Sequence, residues 1–142
     1  MKSSQKGFTL VEILIVLAII GILASVALVG LGPIQRRGRD SRRVQDLRQV
    51  QSALELYFAK SGSYPPSSDW LTLQNTIINA NIGVRSMPDD PRQGKHYFYG
   101  SNSTEYVIGA ELEDNSNVVL ANDVDGQVLG IECADPVYCV QL

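Results

Sequence analysis

Residues 6–34 read KGFTLVEILIVLAIIGILASVALVGLGPI, and this stretch decides how the rest of the chain is understood. From residue 13 to residue 34 there are 22 positions with no charge and almost no polar side chain; about 20 such residues cross the core of a bilayer as a helix. A secretory signal peptide has an apolar core of about 7–15 residues ending at a small-residue cleavage site. The run here is longer and closes on Gly30, Gly32 and Pro33, so it reads as a retained membrane helix. Glu12 stands at its entrance. A carboxylate at the bilayer centre costs about 2.5–3.5 kcal/mol, and less towards the ends. Two readings of Glu12 stay open on this ground alone: an interfacial acid favoured by the positive end of the helix dipole, or, were the chain cut before Phe8, a partner for the new α-amino group of an adjacent subunit.

Outward from this stretch the chain is strongly segregated. Its 142 residues are 44% hydrophobic, 19% charged and 7% aromatic, with a net charge of −3. Two cysteines and one histidine are too few for a disulfide-dense mini-protein or a Cys/His zinc module. Residues 1–7 carry +2, residues 8–32 carry −1, residues 33–60 carry +4 and residues 61–142 carry −8.

Helical periodicity continues past the apolar run. Val44, Leu47, Val50, Leu54, Tyr57 and Phe58 recur at three- and four-residue steps, one apolar stripe on an amphipathic helix. Read continuously from Phe8 to Lys60, the helix would be about 80 Å long at 1.5 Å per residue. The sequence Gly30-Leu31-Gly32-Pro33 predicts a kink or a locally melted turn within it. Gly62, followed by Pro65 and Pro66, predicts its end. A short helix is expected over 70–78. Strands are expected over 97–99, 106–112, 118–121 and 128–131, separated by Asn, Ser, Asp and Gly turns. A single small sheet cannot bury its apolar face alone, so the expected fold is α+β: a long N-terminal α-helix packed on a small antiparallel sheet.

The segment Lys6-Gly7-Phe8-Thr9-Leu10-Val11-Glu12, placed directly before a membrane-length run, resembles the class III signal of type IV pilins and type II secretion pseudopilins. The resemblance implies a prepilin peptidase that cuts between Gly7 and Phe8 on the cytoplasmic side and N-methylates Phe8. It also implies that Glu12 pairs with the Phe8 terminus of a neighbouring subunit during assembly. The domains it implies are a leader at 1–7, a transmembrane and filament-core helix at 8–34, its amphipathic continuation at 35–60 and an extracytoplasmic domain at 61–142. The family's proline has its usual place at Val29, one turn before Pro33. Gly62-Ser63-Tyr64-Pro65 and Pro88-Asp89-Asp90-Pro91 resemble the major pseudopilin of type II secretion, although Arg92-Gln93 stands where that group has Trp-Gly.

Cys133 and Cys139 bracket a short loop containing Pro136. They read as a disulfide worth roughly 2 kcal/mol, found in oxidising compartments; the alternative is two free thiols. Many type IV pilins close a C-terminal loop in this way. Asp123, Asp125, Gly126 and Glu132 match positions 3, 5, 6 and 12 of a calcium loop whose first position is Ala121. The competing reading is an Asp-Gly turn between two strands. The resemblance leaves Ca²⁺ open at Asp123, Asp125 and Glu132, although the ligand segment of the major pseudopilins is not conserved in form here.

Arg36, Arg37, Arg39, Arg42 and Arg43 would by the positive-inside rule hold the C-terminal domain in the cytoplasm. The resemblance and the cysteine pair place that domain outside instead. The cluster could bind DNA or phospholipid head groups, but reads rather as a juxtamembrane anchor at the lipid surface that meets acidic surface from neighbouring subunits in a filament. The −8 of residues 61–142 argues against nucleic-acid binding by the globular part. His96 has no signalled Ser, Cys or Asp partner, and the chain reads as a non-enzyme with no required cofactor. The expected function is therefore a structural subunit of a type IV pilus-like filament, assembled with other pilins from an inner-membrane platform into a surface pilus. The alternatives are a subunit of a type II secretion pseudopilus within the envelope, or a monomeric membrane-anchored binding or sensor domain.

Overall fold

The computed structural model describes residues 7–66 and 69–142, and only the backbone of residues 26–30. The order of elements is α1 (Leu10–Ser61), α2 (Trp70–Asn79), β1 (Phe98–Ser101), β2 (Tyr106–Glu111), a 3₁₀ turn (Val118–Asn122), β3 (Gln127–Val128), β4 (Ile131–Glu132) and β5 (Val137–Gln141). The fold class is α+β, a long N-terminal helix with a small antiparallel sheet. The chain divides between Gln35 and Arg36 into two compact units, both of which include part of α1.

In the first unit Thr9 starts the helix. Its backbone N–H and its hydroxyl both donate to Glu12 Oε2 at 2.8 Å, and its Oγ1 accepts from the Glu12 N–H at 3.3 Å. This is a capping box, in which Thr-x-x-Glu satisfies otherwise orphaned N–H groups reciprocally. The described apolar side chains from Phe8 to Leu23 are exposed. Pro33 lies inside α1 and the helical hydrogen-bonded path runs through it, so of the expected kink or melted turn the melted turn is corrected. Proline withdraws one N–H from the ladder, and the turns on either side keep the helical path.

The second unit is built on the remainder of α1. Leu47, Val50, Ala53 and Leu54 are buried against Tyr97, just before β1, against Tyr99, Tyr106, Ile108 and Ala110 of the sheet and against Trp70, Leu73 and Ile77 of α2. Gly62 takes a φ of 75° and its N–H bonds to the Phe58 carbonyl at 2.7 Å, ending α1 in the left-handed conformation that glycine adopts without strain. Asp69 caps α2 by accepting from the Thr72 N–H at 2.8 Å.

The three-stranded sheet has the order β1-β2-β5, wholly antiparallel, with Tyr99 opposite Ile108 and Gly109 opposite Cys139. Strand β2 is covered on both faces. Tyr106, Ile108 and Ala110 face the main core, while Val107 packs in a second small cluster with Cys133, Cys139, Val124, Val128, Leu129, Ile131 and Val137.

Three strand expectations change. Residues 118–121 form a 3₁₀ turn, because Asn117 and Asp114 supply local side-chain and backbone acceptors that compete with strand pairing. The run 128–131 folds back on itself as the β3–β4 hairpin, with Leu129 at φ 48° and Gly130 at φ 84°, the two positive values of a tight two-residue turn. Strand β5 follows Pro136, in a segment read from sequence only as a disulfide loop.

The hairpin presses close to the sheet. A Cβ at Gly100 would lie 2.5 Å from the Leu129 carbonyl oxygen, a backbone atom with no flexible side chain to yield. Gly100→Ala is expected to lower stability by about 2 kcal/mol, read as a reduced urea midpoint for the full chain in detergent; an unchanged midpoint would show that the hairpin does not pack here.

Candidate functional sites

The first site is the start of α1. Phe8 is exposed, and Glu12 is held within one helical turn of it by Thr9. Only Oε2 of the Glu12 carboxylate is engaged among the described residues, leaving Oε1 available to a further donor. The Thr9–Glu12 box was legible in the sequence as Thr-x-x-Glu before an apolar run, a signal that dipole reasoning about Glu12 alone passes over. The rest of the expected leader, residues 1–6, lies outside the described residues. Among the described residues no helix is long and apolar enough to cross a membrane; the side chains of residues 26–30 lie outside the description, while the uncharged sequence runs on to Ile34.

The second site corrects the reading of the arginine cluster. Arg43 is 1% exposed and Asp40 is fully buried. The Arg43 guanidinium donates from Nε and Nη2 to the two oxygens of Asp90 at 2.7 and 3.0 Å, and from Nη1 to Asp40 at 2.7 Å and Glu113 at 3.0 Å. Arg39 grips Glu113 through Nε and Nη2 at 2.6 and 2.7 Å. Asp40 in turn accepts the backbone N–H groups of Glu113 at 2.9 Å and Asp114 at 3.0 Å. Arg37 lies 3.4 Å from Asp114, and Arg42 lies 3.6 Å from Asp46. Four of the five arginines therefore meet acids of their own chain, and only Arg36 has no partner among the described residues.

Electrostatics follow from this geometry. Burial disfavours the charged form of Arg43, but its hydrogen bonds to Asp90, Glu113 and Asp40 outweigh it and raise its pKa. Glu113 is held down to about 2, first by the hydrogen bonds from Arg39. Asp90 is also lowered, its burial outweighed by the hydrogen bonds from Arg43 and the Arg92 N–H.

The third site is the C-terminal segment. Cys133 and Cys139 form a disulfide with Cα atoms 5.8 Å apart, and both are buried in the second cluster. Carboxylate oxygens of Asp123, Asp125 and Asp135 lie within 4.8 Å of one another. Asp123 Oδ2 accepts from the Cys139 N–H at 2.9 Å, while Oδ1 is buried without a hydrogen-bond partner. Burial, then the charges of Asp125 and Asp135, raise the Asp123 pKa against the lowering effect of the Cys139 N–H. Glu132, named in the calcium-loop count, is not in this group: it sits in β4 opposite Gln127, because the 127–132 hairpin replaces the helical flank of such a loop. Three carboxylates and an orphaned oxygen suit a hard cation by donor type, but supply fewer than the 6–8 oxygens that Ca²⁺ takes.

His96 pairs with Asp89 through Nδ1 at 2.7 Å on an exposed surface. Tyr97 donates to Asp46 at 2.7 Å and Tyr99 to the Pro65 carbonyl at 2.8 Å, so these aromatics anchor the core.

The profile of the prokaryotic N-terminal methylation motif matches residues 2–28. A type IV major pilin protein of Neisseria gonorrhoeae is 36% identical over 131 residues, covering 92% of this chain and 70% of the relative. The chain belongs to the type IV pilin family. Similar pilin-family relatives include a fimbrial protein of Neisseria meningitidis, 30% identical with 92% of this chain and 67% of the relative covered. Another is the type II secretion system core protein G of Klebsiella michiganensis, 30% identical over 106 residues, covering 67% of this chain and 73% of the relative. No solved structure matches the chain significantly. As a member of this family the chain is a structural filament subunit.

Removing Arg43 would leave three acids facing one another. Arg43→Ala is expected to cost about 3–5 kcal/mol, the scale for breaking a buried pair by deleting one partner, read by urea unfolding. The depressed pKa of Glu113 sets the sign of the pH response: its contribution is complete above its ordinary value of 4.5 and is lost as pH falls towards about 2. A urea midpoint unchanged between pH 5 and pH 2.5 would contradict the network.

Proposed function

We propose that this pilin is made as a precursor cut between Gly7 and Phe8 by a prepilin peptidase that also methylates Phe8. The mature chain then waits in the inner membrane through residues 8–34, with its sheet domain extracytoplasmic. An assembly platform extracts it into a homo-oligomeric type IV pilus. The observation that carries this reading is the combination, at one helix start, of a Gly-Phe junction, an ordered Thr9–Glu12 cap and a long apolar surface on which every described side chain is exposed.

The mechanism follows from that terminus. Cleavage creates an α-amino group one turn from Glu12. In an apolar layer, the Glu12 Oε1 left open by the Thr9 cap accepts the Phe8 amine of the neighbouring subunit. This pairing neutralises both charges and sets the axial register, while the apolar faces of residues 8–34 supply non-directional packing. The charge of the Phe8 amine is the partner that makes Glu12 tolerable in a filament core.

A pseudopilus of a type II secretion system is the second reading, favoured by the match to core protein G. The C-terminal disulfide weighs towards the pilus. Filament formation on this reading requires no cofactor and no enzymatic activity from the chain. The alternative use of the Asp123–Asp125–Asp135 cluster is a bound Ca²⁺ ion.

Glu12→Ala is expected to reduce filament yield about tenfold or more, with membrane insertion and leader removal intact. Replacement of Gly7 by a bulky residue is expected to leave the leader attached, read from the mass of the membrane-extracted chain. Normal filaments from Glu12→Ala would remove the pairing mechanism. Immunolabelled electron microscopy of sheared surface material separates the two readings: long labelled filaments mark a pilus, and processed protein confined to the envelope marks a pseudopilus.

A further inference from the structure

Within the globular unit lies a cleft of about 420 Å³ whose lining carries both signs of charge. Its basic groups are Arg36, Arg43, Arg92 and Lys95, with His96, and its acids are Asp90, Glu111 and Glu113. Most of these are spent on one another or on their neighbours. Arg43 takes both oxygens of Asp90 and shares Glu113 with Arg39, and His96 is held by Asp89. Three polar ends stay open among the described residues. The Arg36 guanidinium has no partner, and Arg92 engages only its backbone N–H, on Asp90 Oδ1 at 2.7 Å. Glu111 meets Lys95 through Oε2 at 2.6 Å, which leaves its Oε1 open. Phe98, Leu112 and Pro136 add apolar surface to the same lining.

Two free guanidinium forks and one free carboxylate oxygen in a single cleft call for a ligand that itself carries both signs. A guanidinium matches a phosphate through parallel N–H···O bonds, and a primary ammonium brings three donors to a carboxylate. Position along the chain says where such a ligand is met. The uncharged run ends at Ile34, and Arg36 follows two residues later in the same helix, about 3 Å further along its axis. The polar layer on each side of a bilayer is about 5–7 Å deep, so a subunit inserted through residues 8–34 carries Arg36 within it. We propose that the cleft binds the head group of an ethanolamine-type phospholipid, with the phosphodiester on Arg36 and Arg92 and the primary ammonium on Glu111 Oε1. The inference rests on the membrane-inserted stage of the function proposed above and names the ligand of that stage. A purely anionic head group would set a negative charge against Glu111, and a quaternary amine has no N–H to donate to it. The bound lipid fixes the depth at which the domain sits and supplies the partners that the chain withholds from Arg36 and Arg92. Extraction of the subunit returns the lipid to the bilayer.

The test uses the full membrane-extracted chain, reconstituted in nanodiscs that hold phosphatidylethanolamine, phosphatidylcholine and phosphatidylglycerol in equal parts. Lipid retained on the released protein is identified by native mass spectrometry. Phosphatidylethanolamine is expected to dominate the retained lipid. Arg36→Glu with Arg92→Glu is expected to lower retention about tenfold, with an unchanged unfolding midpoint because both side chains are exposed. Glu111→Gln removes the ammonium acceptor and frees Lys95, so it is expected to keep lipid bound while moving the preference to phosphatidylglycerol. Equal retention of the three lipids by the wild type, or retention that survives the arginine reversal, overturns the site. A wild-type preference for phosphatidylglycerol would show attraction to net charge alone and overturn the assignment of Glu111. Free phosphoethanolamine that binds the lipid-free chain in detergent as tightly as the lipid does would assign a soluble ester and overturn the membrane source. The two levels separate: a wild-type chain washed from cell membranes by alkali fails the membrane-inserted reading and this site together, whereas an inserted chain without head-group preference fails the site alone.

Discussion

The buried guanidinium of Arg43 is the constraint around which the globular unit is arranged. A charge withdrawn from water is tolerated only when its donors are paired and its partners are themselves satisfied. Arg43 meets this condition by collecting Asp40 from its own helix, Asp90 from the loop before β1 and Glu113 from the segment after β2. Asp40 then binds the backbone of residues 113 and 114, and Arg39 holds the other side of Glu113. Two arginines and three acids thus join three chain segments far apart in sequence. The apolar packing of Leu47, Val50 and Leu54 on the sheet begins one turn further along the same helical stripe. Hydrophobic burial brings the layers together without direction, and the directional ion network fixes where the loops on either side of the sheet must sit.

The two units solve opposite problems with one helix. Up to Gln35 the described side chains of α1 are uncovered and, apart from Glu12, Ser25 and Gln35, apolar, a surface that a lone chain in water would not sustain. Beyond Arg36 the same helix turns charged, and its inward stripe is covered by the chain's own sheet. The cation excess of residues 33–60 is largely consumed inside the domain by acids of residues 61–142. The bare apolar helix is the part of the molecule left uncovered within a single copy, which is the expected condition of a filament subunit.

Sequence patterns were most legible where the causes are local. The apolar run, the stripe from Val44 to Phe58, the Gly62 stop and the α2 segment depend on periodicity and on single-residue backbone preferences, and the structure holds them in place except for Phe58, which is exposed. The Thr9–Glu12 cap was equally local and present as a motif. Strand positions were less legible. Residues 118–121 have strand-forming valines, yet Asp114 and Asn117 bend them into a 3₁₀ turn, and the 128–131 run is turned midway at Leu129-Gly130. Strand β5 went unread because its pairing partner, β2, lies some thirty residues earlier and nothing in the segment itself announces that register.

By itself, the sequence determined the long apolar run, the N-terminal methylation motif and the segregation of charge, because each is written in consecutive residues and obeys short-range rules. Only the tertiary structure decided which arginines are surface charges and which are buried fasteners, and that Asp135 rather than Glu132 joins Asp123 and Asp125. A side chain's ionic partners depend on which loops the fold brings within about 3 Å, the range over which a hydrogen bond discriminates. Arg36 and Arg43 are the same residue type seven positions apart; the contacts of Arg43 with Asp40, Asp90 and Glu113 make it a structural centre, while Arg36 has no ion-pair partner among the described residues.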